Sequence, residues 1–228
     1  MSQSPRLYLK QIEVGPMQNY AYLVGDRETH EAVVIDAAWD VDRLIEEAER
    51  DDMKITAGLV THFHPDHLGG AMMGMEITGA AELLARLPVK IHLHKSEAPY
   101  AGRIAGLSTS DLVLTEGGDE ILVGDIPIKF LHTPGHTPGS QCFLVDGNLV
   151  SGDTLFIGSC GRVDLPGSSP EDLWRSLTGT LKVLPRETVL YPGHNYSEEK
   201  TSTIGDETMR NPYMRFDDLG EFLKVMGY

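Results

Sequence analysis

The chain has 228 residues, of which 41% are hydrophobic, enough to build the core of one large domain or two small ones. Its 34 acidic and 19 basic side chains give a formal net charge of -15, and because such a surface repels phosphate backbones we expect no nucleic-acid partner. The sequence shows no secretory signal and no membrane-spanning run, and its two cysteines are too few for a disulfide scaffold. We therefore expect a cytoplasmic protein with no membrane partner.

Short apolar or alternating runs, bounded by Gly, Pro, Asn or Asp, predict the strands. Three of them precede the first helix, at Leu7–Val14, Tyr20–Val24 and Glu31–Asp36. The others are predicted at Thr56–Val60, Val89–Leu93, Ile121–Val123, Ile126–Leu131, Gln141–Val145, Asn148–Ser151 and Thr188–Tyr191.

Apolar residues at helical spacing predict the helices, the first of which opens at Asp40 and turns Val41 and Leu44 to one face. The other helices are predicted at Ala80–Leu87, Pro170–Leu184, Asp206–Arg210 and Asp217–Val225. Strands interspersed with helices favour an α/β fold in which sheet packs between helices. We predict one domain covering residues 1–228, which ends in short helices.

Four metal-binding side chains stand directly after the apolar strand Thr56–Val60. They are His62, His64, Asp66 and His67. A strand end is rigid, and the turn after it can direct several side chains to one point. Imidazole and carboxylate together suit zinc, iron and manganese. A solvated His-rich loop needs no such spacing, so the pattern favours a metal site.

Three further donors follow predicted strands, each beside a glycine that allows the backbone to turn sharply. They are His136, Asp153 and His194. A single His after Pro-Gly is commonly a turn residue, but the seven donors together indicate a metal-dependent enzyme that holds two ions.

With these motifs the chain resembles the metallo-β-lactamase-fold hydrolases, and among them the glyoxalase II group and the related persulfide dioxygenases. The resemblance covers Gln18 to about Pro212 and includes the His-x-His-x-Asp-His motif and the stretches 152–156, 158–162, 191–196 and 202–205. It implies a four-layer αβ/βα sandwich of the α/β class.

The resemblance also implies a role for each donor. The first metal would bind His62, His64 and His136, the second Asp66, His67 and His194, and Asp153 would bridge the two. A hydroxide held between the ions would attack a glutathione-type thioester, and Asp66 would help to orient it. Arg162 and Tyr196 would contact a substrate carboxylate or amide, since Arg offers a bidentate fork.

A persulfide dioxygenase is the alternative that the resemblance leaves open. In that family a single Fe(II) binds the residues that match His62, His136 and Asp153, a two-His-one-carboxylate triad. The stretch 221–227 resembles the end of those enzymes, whereas Pro65 stands where they typically have a small alanine and therefore favours the hydrolase. A non-catalytic metal-binding module is a more remote alternative.

In glyoxalase II a C-terminal helical domain supplies basic residues for the glutathione carboxylates. We expect this chain to differ from glyoxalase II by lacking the full form of that domain. The segment Met72–Ala80 beside the metal motif is expected to shape the pocket instead. The sequence does not determine the identity of the metal, the acyl group or the thiol carrier. It also does not decide between a monomer and a homodimer. His92 and His94 are interpreted as a strand-surface pair, and His132 as a residue packed around the site.

Overall fold

A computed structural model of the chain describes residues 5–228, most of whose strands form two six-stranded sheets. The strands are β1 Leu7–Val14, β2 Asn19–Asp26, β3 Glu31–Ile35, β4 Lys54–Leu59, β5 Gly70–Met72, β6 Met75–Ile77, β7 Ile91–His94, β8 Leu112–Thr115, β9 Glu120–Val123, β10 Ile126–His132, β11 Gln141–Val145, β12 Asn148–Gly152, β13 Leu155–Phe156, β14 Ser159–Cys160, β15 Val189–Pro192 and β16 Ser202–Thr203. The α-helices are α1 Val41–Arg50, α2 Pro65–Leu68, α3 Ala80–Arg86, α4 Ala98–Ala105, α5 Pro170–Arg175, α6 Ile204–Arg210 and α7 Leu219–Met226.

Both large sheets mix antiparallel and parallel pairs. The first has the order β1-β2-β3-β4-β7-β8, in which β3, β4, β7 and β8 run parallel. The second has the order β16-β15-β12-β11-β10-β9, in which β12 and β15 form the parallel pair. Because the carboxyl ends of parallel strands lie at one edge of a sheet, the loops that leave them are brought together.

Three apolar clusters show how the layers pack. Tyr22 of the first sheet and Phe143 of the second are buried in the cluster between the two sheets. Leu44 of α1 belongs to the cluster on the outer face of the first sheet, and Leu173 of α5 to that on the outer face of the second. The order is therefore helices, sheet, sheet, helices, and the predicted α/β four-layer sandwich is confirmed.

The helix predicted at Pro170–Leu184 differs from the structure. Its α-helical part, α5, ends at Arg175 and continues as a π-helical segment, Ser176–Leu181. The Thr178 hydroxyl donates to the carbonyl of Trp174 at 2.7 Å, and such a bond back to the preceding turn disturbs the regular ladder. Among residues 5–228, no helix is long and apolar enough to span a membrane.

Candidate metal centre

The seven predicted metal ligands lie together at the edge where the loops after β4, β10, β12 and β15 meet. Their ligand atoms form three overlapping groups within which all atoms lie within 4.8 Å of one another. The groups are His62, His64 and His136; His62, His67 and Asp153; and Asp66, His67 and His194. The Asp153 carboxylate lies 3.3 Å from His67 Nε2, 3.6 Å from His136 Nε2 and 3.5 Å from His194 Nε2. It therefore contacts ligands of both predicted ions.

Pro65 explains how one short segment supplies four of these donors. A residue before proline is kept out of the helical region, and His64 is accordingly extended, with φ -61° and ψ 144°. Pro65 then begins α2, a position at which proline is favoured in helices. The single turn carries Asp66 and His67 back toward the cluster, on the side that His62 and His64 already face.

Hydrogen bonds on the far side of three imidazoles fix which nitrogen faces the cluster. Nδ1 of His136 lies 2.8 Å from the carbonyl of Arg162, and Nδ1 of His194 lies 3.0 Å from that of Met17. A carbonyl only accepts, so Nδ1 donates in both residues and Nε2 of the neutral ring keeps a free lone pair. Nδ1 of His67 likewise lies 2.9 Å from Asp36 Oδ2. Such partners orient metal-binding histidines.

The side chains fit divalent metal ions. Buried His62 Nε2 and Asp153 Oδ1 have no hydrogen-bond partner among residues 5–228, although buried polar atoms are normally paired. The distance between His67 Nε2 and His194 Nε2 is 3.2 Å, and that between His136 Nε2 and His64 Nδ1 is 2.9 Å. Two nitrogens on one tetrahedral zinc lie about 3.4 Å apart, so these spacings suit shared ions.

The electrostatics favour the metal-binding protonation states of His62, His64 and Asp153. For His67, burial would lower the pKa, but the charges of Asp153 and Asp66 raise it well above its usual value. Burial lowers the pKa of His62 well below its usual value, and it lowers the pKa of His64 to about 4, helped by His136. Burial alone would raise the pKa of Asp153, but His67 and His194 hold it well below the usual range. Neutral imidazoles and an ionised carboxylate are the forms that coordinate metals.

Asp36 is a supporting residue that the sequence did not single out. Its carboxylate accepts hydrogen bonds from the Thr61 amide and hydroxyl, both at 2.7 Å, besides the contact with His67. It thereby holds the loop after β4 and orients His67. The sequence feature that could have indicated this role is the position of Asp36 directly after the buried strand β3. Asp153 stands in the same way after β12.

Asn19 was also missed. Its side-chain amide donates to Asp66 Oδ2 at 3.0 Å and to the Asp66 carbonyl at 3.1 Å, while its oxygen accepts from Trp39 Nε1 at 3.0 Å. Asn19 therefore orients a predicted ligand from across the fold. Nothing in the local sequence around Asn19 indicates this role.

Glu97 connects two ligand-bearing loops. Its carboxylate is fully buried and accepts from the Phe63 amide at 2.7 Å, between His62 and His64 in the chain. It also accepts from the Gly139 amide at 2.6 Å and from the Thr137 hydroxyl at 3.1 Å, in the loop that carries His136. Burial raises its pKa to about 7, and these donors oppose the rise.

We expect Glu97→Gln to weaken metal binding. A glutamine amide group must oppose one of the two backbone N–H donors, which loses a hydrogen bond and leaves a buried donor unpaired, at a cost of about 1–3 kcal/mol. The affinity for the ion held by His62, His64 and His136 should fall about 10- to 100-fold in chelator competition. Glu82→Gln in α3, a partly exposed position whose carboxylate pairs with Arg86 at 2.7 Å, is the control. An unchanged affinity in Glu97→Gln would show that the connection is unimportant.

The two residues predicted to contact substrate line a cavity of about 400 Å³ that opens onto the cluster. The Arg162 guanidinium is exposed and forms a bidentate pair with Asp164, both bonds being 2.9 Å long. The Tyr196 ring stacks on His194 at a centroid distance of 4.6 Å. Burial, together with the charges of Asp153 and Asp66, raises the pKa of Tyr196 to about 12, which keeps its hydroxyl protonated.

Other candidate residues lie outside the cluster. His94 stacks on His132 with ring centroids 3.9 Å apart, and His132 Nε2 lies 3.0 Å from the Pro138 carbonyl, so His132 packs behind the His136 loop. Burial raises the pKa of Cys142 to about 11 and that of Cys160 to about 12. Because the thiolate is the reactive form, these cysteines are poor nucleophiles.

Fold and site together define a metal-dependent enzyme of the four-layer sandwich class. Residues 14–194 match the Metallo-beta-lactamase superfamily, and the chain belongs to that family. Its relatives include both hydrolases and dioxygenases.

Two similar enzymes and one similar solved structure represent these relatives. Human mitochondrial persulfide dioxygenase ETHE1 is 30% identical over 91% of this chain and 76% of its own length. The hydroxyacylglutathione hydrolase of Maricaulis maris is 36% identical over 79% of this chain, which spans 63% of that enzyme. The crystal structure of TTHA1623 in a di-iron-bound form is 34% identical, with a TM-score of 0.71 over 90% of this chain and 99% of that one.

Proposed function

We propose that this chain is a dinuclear metal-dependent hydrolase of small-molecule thioesters, of which glutathione-type thioesters are the first candidates. Two ions of zinc, iron or manganese would bind the seven residues in the assignment given above, with Asp153 between them. The hydroxyacylglutathione hydrolase among the relatives and the di-iron form of TTHA1623 support this proposal.

The position of Asp153 is the observation that carries the proposal. Its carboxylate approaches ligands of both predicted ions, as a bridging ligand must. The second group, Asp66, His67 and His194, is as compact and as buried as the first. Persulfide dioxygenases often keep the other donors beside their single-iron triad, so the number of donors does not separate one ion from two. The contact of Asp153 with both groups of ligands is what supports two ions.

The chain's own residues supply the rest of the chemistry. When bound, two such ions lower the pKa of a water molecule between them and polarise a carbonyl group. Asp66, which Asn19 holds in place, faces the cavity and would orient the attacking water. The protonated Tyr196 hydroxyl would donate a hydrogen bond to the substrate, and Arg162 would contact a carboxylate or amide at the rim.

Persulfide oxidation with one Fe(II) is the second candidate, and the similarity to human ETHE1 over 91% of this chain favours it. The same residues His62, His136 and Asp153 would then hold the iron, leaving positions for oxygen and substrate.

One parallel assay distinguishes the two candidates. Protein loaded separately with zinc, manganese and iron is given S-acyl glutathione thioesters while thiol release is followed, and glutathione persulfide while oxygen uptake is followed. We expect metal-dependent thiol release that is lost after chelation and restored by adding metal. Oxygen uptake by the iron form without thiol release in any form would overturn the hydrolase proposal in favour of the dioxygenase.

A further inference from the structure

A short hairpin projects beside the metal cluster. Its strands β5 and β6 follow α2 directly, with Met72 paired to Met75. The two-residue turn between them consists of Met73, at φ 51°, and Gly74, at φ 79°. Positive φ at both central residues defines a type I′ turn, in which Asn-Gly is the favoured pair. A methionine at the first turn position is therefore unusual.

Met73 combines two features that the fold itself does not explain. The left-handed conformation costs an ordinary L-residue about 1–2 kcal/mol, and a short polar side chain such as Asn reduces that cost. The Met73 side chain is also 87% exposed, so it gains no burial in return. Exposed apolar residues are ordinary by themselves, but an exposed apolar residue in a strained conformation beside a site indicates a functional contact.

The base of this hairpin is held firmly, whereas its tip is open. A Cβ atom on Gly69 would lie 2.7 Å from Gly79 Cα, and one on Gly70 would lie 2.5 Å from the carbonyl oxygen of Ile104 in α4. A Cβ atom on Gly74 at the tip would meet nothing within 4 Å. The methionines are thus presented from a fixed position, while their unbranched side chains can adapt to different shapes.

The cavity above the metal cluster has mainly apolar walls. Met72 and Met73 line it together with Phe63, Leu165 and Pro166. Among the described lining residues the only guanidinium or ammonium group is that of Arg162, which also pairs with Asp164. The carboxylates of Asp66 and Asp153 also face the space, but they are predicted metal ligands whose charge bound ions would offset. Away from the ligands, the walls therefore favour contact with an apolar chain.

From these contacts we infer that the hairpin 70–77 selects thioesters that carry an unbranched apolar chain, which lies between Met72 and Met73 on one side and Leu165 and Pro166 on the other. This inference rests on the proposed thioester hydrolase function. It assigns to the hairpin the substrate contacts that decide which thioester reacts fastest.

Chain-length series test this assignment. One series lengthens the acyl group on a fixed thiol, and a second lengthens the thiol's alkyl group on a fixed acetyl group. In one of them we expect kcat/KM to rise with each methylene, by up to about fourfold, and the series that responds shows which side of the thioester the hairpin holds. A flat response in both series would overturn the inference even if thioesters are hydrolysed.

Met73→Asn separates this role from folding, because Asn is favoured in the turn and should leave the thermal unfolding midpoint unchanged or higher. We expect it to flatten the chain-length response, measured within the variant as the ratio of kcat/KM between successive chain lengths. Val183→Asn replaces another exposed apolar residue, 71% exposed and outside the cavity, and should leave the response unchanged. A wild-type response in Met73→Asn would overturn the inference.

Binding of alkyl thioethers of the same thiols, measured by calorimetry on metal-loaded protein, gives a test that requires no hydrolysis. The inference predicts tighter binding with each methylene in wild type and a weaker dependence in Met73→Asn. If no thioester is hydrolysed but this pattern appears, the proposed function fails and the apolar subsite stands. If hydrolysis occurs without this pattern, the subsite fails and the function stands.

Discussion

Asp153→Ala should lower kcat/KM for thioester hydrolysis at least about a thousandfold, the largest single effect we expect. The carboxylate contacts His67, His136 and His194, which belong to both predicted ions, and no other described acidic side chain does so. Its removal takes away the shared ligand and the negative charge that offsets two cations. Steady-state kinetics together with elemental analysis measure the loss of activity and of metal.

Asp153→Asn keeps the shape but removes the charge, and it should lose nearly as much activity. Asp52→Asn is the matched control, because Asp52 has a 90% exposed side chain away from the site. Gly193→Ala tests the same carboxylate from the neighbouring strand, since a Cβ there would lie 2.4 Å from Asp153 Oδ1. Wild-type turnover in Asp153→Ala would contradict the proposed mechanism.

The second large effect is expected for Asp36→Asn, which touches no substrate. Asp36 Oδ2 accepts from His67 Nδ1 and from the Thr61 hydroxyl, so His67 carries its proton on Nδ1 and presents a bare Nε2. An asparagine Oδ1 can still accept from the Thr61 amide, which leaves its amide group facing His67. The imidazole would then be protonated on Nε2, the wrong tautomer for metal binding.

For Asp36→Asn we therefore expect the ion held by Asp66, His67 and His194 to be bound at least about 100-fold more weakly, with a parallel loss of hydrolysis. Asparagine tolerates the left-handed backbone at this position, where φ is 54°, so the change is not confounded by strain. Asp40→Asn, at the exposed start of α1, serves as the control. Full occupancy of both sites in the variant would show that Asp36 does not control the tautomer of His67.

The metal ligands could be predicted from the sequence because each stands at a strand end. Four lie within six residues after β4, and the others follow β10, β12 and β15, each beside a glycine. Their joint contact also requires the end of β4 in the first sheet to meet the ends of β10, β12 and β15 in the second, an arrangement that only the family resemblance implied. That Arg162 and Tyr196 contact substrate stays a prediction, as does a single domain over 1–228.

The supporting residues could not be predicted in the same way. Asn19 reaches Asp66 from 47 residues away, and Glu97 reaches Phe63 from 34 residues away. Such contacts arise only when separate elements pack, and a lone Asn or Glu carries no local pattern. Glu97 precedes α4, a helix that the sequence analysis missed because its apolar residues are interrupted by Pro99 and Gly102.

The strand pattern of the core was easier to predict than its ends and insertions. The predictions for β1 and β11 have the observed bounds, and those for β2 and β12 lie within two residues of them. The two-residue strands β13, β14 and β16 were missed because they are too short to show an apolar or alternating pattern. The hairpin β5–β6 was missed because methionine replaces the usual asparagine in its turn.

Metal content per chain tests the central claim most directly. Protein purified without a metal-binding tag is analysed for zinc, iron and manganese, and the same measurement is made on Asp153→Ala. The dinuclear account predicts about two equivalents per wild-type chain and a clear loss in the variant. One equivalent, all of it iron, that remains after replacing His194 with Ala would contradict two ions and would support the single-iron dioxygenase instead.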